Sequence, residues 1–207
     1  MPPRLTSQKT QSRTSGEIGP NAILQVIAVL EGTFSRAKVQ KIMDQAGLCH
    51  YLRTPPETMV DEWEVVRLHQ AVRVQLTPND AMQVLDEAGV QTADYILANR
   101  IPKIAQMVLK RLPARLASPP LLKAIARHAW TFAGSGVFTY ASGQSTHITL
   151  ADCPACEEVY AANERCAYYI ATMQGLFQAL VHPAARITQC PPASTDRCVR
   201  TFALEWP

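Results

Sequence analysis

A chain of 207 residues is long enough for one good core, or for two small lobes that share one, and 47% hydrophobic with 18% charged residues is a globular composition. A net charge of +3, without a block of Lys and Arg or a basic patch interleaved with aromatics, argues against a nucleic-acid binder. The longest apolar runs, Ala22 to Leu30 and Cys166 to Met173, fall well short of the roughly 20 residues that a membrane span needs.

Residues 1 to 19 read as a flexible lead, polar and punctuated by Gly16, Gly19 and Pro20. They contain no apolar segment of the kind a secretory signal requires, so a cytoplasmic location is expected. Residues 20 to 132 read as a helical region. Asn21 offers an N-cap, and Ile23, Val26, Ile27 and Leu30 recur at helical spacing. Ser35 to Ala46 follows with Val39, Ile42 and Met43 on one face and Gly47 as its stop. Thr58 to Leu76 is a third amphipathic helix, and Thr77-Pro78 starts a fourth that is expected to end at Gly89. Short helices over Thr92 to Asn99, Ile104 to Leu112 and Leu121 to Ala129 are expected between Pro102, Pro113, Pro119 and Pro120.

The pattern changes at Ala133-Gly134-Ser135-Gly136, so residues 133 to 207 read as a separate unit. Val137 to Tyr140 and Thr146 to Leu150 are β-formers around the turn residues Ser142-Gly143-Gln144: a hairpin. Glu157 to Leu180 returns to helix, and Ala185 to Cys190 with Cys198 to Leu204 supply two more strands. The fold class is therefore α+β, a helical region followed by a small antiparallel sheet packed with a long helix.

Five of the six cysteines lie between Cys153 and Cys198, and in a reducing compartment such clustering points to metal or redox chemistry before disulfides. Cys153-Pro154-Ala155-Cys156 has the spacing of a zinc knuckle, and Cys190 with Cys198 supplies an opposite pair; the plain alternative is small buried apolar residues. An iron–sulfur cluster is the redox alternative, and the single close pair of cysteines argues against it. Cys49 stands apart and reads as core. Gly134-Ser135-Gly136 runs from helix into strand and lacks a third glycine, so the chain carries no nicotinamide or flavin motif. Asp61, Glu62 and Glu64 read as a solvated helix N-terminus. Ser142, Ser145 and His147 lack a carboxylate partner and a nucleophile elbow.

Four stretches, Ile18-Gly19-Pro20-Asn21-Ala22, Leu68 to Arg73, Ala93 to Pro102 and His128 to Gly136, resemble the BchJ-type proteins of phototrophic bacteria, known as bacteriochlorophyll 4-vinyl reductases. Residues from about 136 to 203 resemble the 4-vinyl reductase domain, a ligand- and metal-binding module related in fold to haem nitric-oxide sensors. The resemblance implies a zinc site in which Cys166 matches the helix cysteine and Cys190 and Cys198 the later pair. Ile187 stands where the family has a ligating glutamate, so either the metal is absent or Cys153 or Cys156 completes the shell.

The resemblance also implies a Mg-tetrapyrrole as ligand, which asks for an apolar slot, aromatic faces, one axial ligand and cations for its carboxylates. His128 is the preferred axial candidate, with Trp130 and Phe132 following it; its alternative is a hydrogen-bonded histidine at a helix end. His69, Arg73 and Tyr95 are further candidates for the slot, which is expected at the junction of the helical region and the sheet. The implied function is an accessory protein of bacteriochlorophyll synthesis that binds a Mg-protoporphyrin or protochlorophyllide-type intermediate and delivers it between pathway enzymes of the Mg-chelatase or methyltransferase type. Reduction of the 8-vinyl group (position 4 in older numbering) of a divinyl chlorophyll precursor is the enzymatic alternative, and a ligand-sensing or scaffold module the third. A homodimer is implied by analogy with the sensor domains, and peripheral contact with the photosynthetic membrane by the pathway.

Overall fold

The computed structural model describes residues 15–142, 146–159, 164–191 and 199–207. In chain order it reads β1 (Glu17–Ile18), α1 (Asn21–Thr33), α2 (Arg36–Ala46), a 3-10 turn (Cys49–Leu52), β2 (Val60–Asp61), α3 (Glu62–Gln75), α4 (Pro78–Asn99), α5 (Lys103–Arg111), α6 (Ala114–Arg127) and α7 (Trp130–Ala133). The rear part follows as β3 (Val137–Ala141), β4 (Thr146–Ala151), α8 (Pro154–Glu158), α9 (Ala167–Leu180), β5 (Arg186–Gln189) and β6 (Val199–Glu205). The α+β class read from the sequence is the one observed.

Local chemistry sets many of the boundaries. Ser35 Oγ accepts from Lys38 N at the start of α2, and Thr77 Oγ1 accepts from Asp80 N at the start of α4, where Pro78 fills the first helical position. The third helix begins at Glu62, not Thr58, because Asp61 Oδ1 accepts from Trp63 N at 2.7 Å and Val60–Asp61 is committed to pairing with Glu17–Ile18. That pairing also draws the end of the expected flexible lead into the fold, and Ile18 is buried.

Two breaks expected from single residues do not occur. Helix α4 runs unbroken through Gly89, whose place is fixed by packing: a Cβ there would lie 2.5 Å from Tyr168 O and 2.8 Å from Ala171 Cβ on α9. Helix α6 starts at Ala114 and carries Pro119 and Pro120 inside it; both are exposed, as are Arg115 and Leu116, whose carbonyls lose their helical donors to the two prolines. A third expectation is shortened: the helix expected from Glu157 is represented by α8 and, from Ala167, by α9, with residues 164–166 non-helical between them.

The four rear strands form one antiparallel sheet in the order β3-β4-β6-β5. Alternation places Ile148 and Leu150 of β4, Phe202 and Leu204 of β6 and Ile187 of β5 on the buried face. Helix α9 packs against β5 on one side and along α4 on the other, and α4 in turn packs on α1. One hydrophobic core therefore runs from Ile18 to Leu204 through both regions.

Candidate functional site

The first and last of the stretches that carry the resemblance meet at the junction of the two regions. Gly19 N donates to Thr131 O at 2.7 Å, tying the first stretch to the last. Glu62, expected on a solvated helix end, is buried; its carboxylate accepts from Gly16 N (2.9 Å), Ser135 N (2.7 Å) and Ser135 Oγ (2.9 Å). Phe132 lies edge-on to Phe138 with ring centroids 5.6 Å apart, and its carbonyl accepts from the Tyr169 hydroxyl at 2.8 Å. Side chains and backbone of both regions thus pack against one another at this junction.

The candidate ring-binding residues are not gathered around one space. His128 caps the end of α6 and is exposed, and Trp130 is 57% exposed; neither lines a cavity described here. His69 is buried in the middle of α3. Its Nε2 donates to Ala22 O at 3.4 Å, its Nδ1 has no hydrogen-bond partner among the described residues, and its ring stands edge-on to Tyr168 at 5.3 Å. Burial holds its pKa down at about 4, so the imidazole is neutral. Arg73 is engaged by Glu164, whose two carboxylate oxygens each lie 2.6 Å from Nη2. Tyr95 is half-buried, with the Arg100 guanidinium 5.7 Å from its ring centroid.

Three of the candidate metal ligands come together. Cys153, Cys156 and Cys166 are buried, Cys166 Sγ is 3.7 Å from Cys156 Sγ, and Cys153 Sγ is 3.6 Å from the Tyr169 hydroxyl. A hydrogen bond from Cys156 lowers the Cys153 pKa, while burial raises that of Cys156 well above the ordinary thiol range. Cys190 is half-buried just after β5, and Cys198 lies outside the described residues. Ile187, where the resemblance implies a glutamate, is buried in the sheet. Among the described residues no group of three His, Cys, Asp or Glu side chains is disposed to hold a metal ion.

A cavity lies elsewhere, away from the residues that the sequence singles out. It has a volume of about 590 Å³ and opens between the end of α1, the start of α2 and the 3-10 turn. Phe34, Val39 and Leu52 give it apolar walls, and Arg36 and Arg53 bring two exposed guanidinium groups with Glu31 and Gln40 beside them. Cys49, expected in the core, is half-buried in its wall; it donates to Asp44 Oδ1 at 2.6 Å and accepts from Gln40 Nε2 at 2.9 Å. Burial, reinforced by the Asp44 carboxylate, pushes its pKa up to about 11, which favours the neutral thiol. A shallower depression of about 330 Å³ runs along α4 beside Asp86 and Glu87.

No family model matches the chain. It is 41% identical over 184 residues to the bacteriochlorophyll synthase 23 kDa chain of Cereibacter sphaeroides, covering 87% of each protein. It is 37% identical over 187 residues to the protein of the same name from Rhodobacter capsulatus, covering 90% of this chain and 86% of that one.

Proposed function

Because the chain belongs to the family of the bacteriochlorophyll synthase 23 kDa chain, we propose that it is an accessory protein of bacteriochlorophyll biosynthesis that binds a Mg-tetrapyrrole intermediate, of the Mg-protoporphyrin or protochlorophyllide type, and delivers it to a pathway enzyme. The observation that carries the reading is the cavity of about 590 Å³ between α1, α2 and the 3-10 turn. Its volume falls within the roughly 300–1,000 Å³ of cofactor-sized pockets.

Its chemistry matches the two parts of such a ligand. Phe34, Val39 and Leu52 offer apolar surface for the ring, and the Arg36 and Arg53 guanidinium groups offer planar, bidentate donors for its carboxylates. No histidine is among the lining residues, so recognition rests on the ring faces and the acid groups and not on an axial ligand. Hydrophobic macrocycles aggregate in water, and a protein that buries one face of the ring keeps it available without performing a reaction. Metal at the buried thiols forms no part of this proposal.

Absorbance titration of the full chain with Mg-protoporphyrin tests the reading. A saturable Soret shift at micromolar ligand is expected, weakened by Gln40→Trp, which fills the cavity from an exposed position, and unchanged by His128→Ala. Absence of any shift at micromolar ligand removes the proposal.

A further inference from the structure

The net charge of +3 conceals a strongly uneven distribution. Between residues 95 and 151 the chain has seven Lys and Arg and no Asp or Glu. All seven, Arg100, Lys103, Lys110, Arg111, Arg115, Lys123 and Arg127, are exposed, and none forms an ion pair among the described residues. Six of them sit on α5 and α6, which are separated by Leu112 and Pro113 alone.

Helix α5 also turns its apolar stripe outward. Gln106 is buried and donates to Ile101 O and Leu97 O, and Leu109 packs on the core, which fixes the inner face. The opposite face presents Ile104 (73% exposed), Met107 (47%), Val108 (51%) and Arg111, residues at helical i, i+3, i+4 and i+7 spacing, with Lys103 and Lys110 along one flank. Leu116, 60% exposed at the start of α6, lies next to Arg115.

From this juxtaposition we propose that α5, with the first turns of α6, is a docking surface for an anionic lipid membrane. Ile104, Met107 and Val108 enter the boundary between headgroups and acyl chains, to a depth of roughly 5–10 Å, while the surrounding cations meet the lipid phosphates. No helix among the described residues is long and apolar enough to cross a bilayer, so the contact is peripheral. Charge selects this occupant over a second copy of the chain: two α5–α6 surfaces face to face would set cation against cation with no carboxylate between them.

Vesicle flotation of the full chain decides the matter. Vesicles carrying phosphatidylglycerol are expected to bind the protein at least about tenfold more tightly than phosphatidylcholine alone, with the difference shrinking at about 0.5 M salt. Ile104→Ser with Val108→Ser, and separately Lys103→Glu with Lys110→Glu, should each weaken binding about tenfold or more while leaving the melting temperature unchanged, since all four side chains are exposed. Equal binding to the two vesicle types, or binding to neither, overturns the proposal. So does a concentration-dependent dimer, seen by ultracentrifugation, that the Ser pair abolishes in a protein without affinity for lipid: the face would then be an interface between copies.

Discussion

The Glu62 carboxylate accepts hydrogen bonds from both the backbone N and the hydroxyl of Ser135, 73 residues further along, at 2.7 and 2.9 Å. With Gly16 N as a third donor, one buried acid joins the segment before β1, the first turn of α3 and the entry to the sheet. Glu62→Ala leaves two part-buried backbone donors without their acceptor and should lower unfolding free energy by about 1–3 kcal/mol in urea. Ser135→Ala removes only the hydroxyl contact, at a cost of about 1 kcal/mol. A neutral Glu62→Ala would contradict the assignment of this carboxylate as the tie between the two regions.

Gly89 is a second such point. Alanine is the better helix former, and on propensity alone Gly89→Ala would add about 1 kcal/mol. Here its Cβ would meet Tyr168 O at 2.5 Å and Ala171 Cβ at 2.8 Å, and neither a backbone carbonyl nor a packed helix can give way cheaply. The substitution should instead destabilise by about 1–3 kcal/mol, read as a fall in melting temperature.

His69 gives stability a defined pH dependence. Its pKa is 6.5 in the reference state and about 4 in the fold, because burial disfavours the cation. Between those values the unfolded chain binds more protons, so stability rises with pH. The contribution, roughly 3 kcal/mol at most, is complete above the unfolded pKa and is lost as pH falls toward 4. His69→Gln should flatten the stability curve over this interval by about one proton's slope, as measured by urea unfolding at a series of pH values. An unchanged slope in the variant would mean that another group titrates there.

Much of the fold was legible because its signals are local. The Ser35 cap, the Thr77-Pro78 start of α4 and the alternation in Thr146 to Leu150 specify their structures within a few residues. The differences share a cause: glycine and proline read locally as punctuation, whereas Gly89 answers to the backbone of Tyr168 and the Pro119-Pro120 pair is exposed. The site was less legible. His128 and Trp130 are chemically suited neighbours in sequence, but a helix end and a short turn leave both at the surface. The cavity is assembled from residues 31–40 and 49–53, and nothing local announces that Phe34 and Leu52 share a wall. The cation-only stretch was present in the sequence, diluted over 57 residues and masked by a modest net charge.

The location of the ligand can be read directly by hydrogen exchange on the full chain with and without Mg-protoporphyrin. Protection concentrated in residues 34–53, across the turn into α2 and the 3-10 turn, is the result that a ring seated between Arg36 and Arg53 produces. Protection centred on residues 128–138, or none anywhere in the chain, would contradict it.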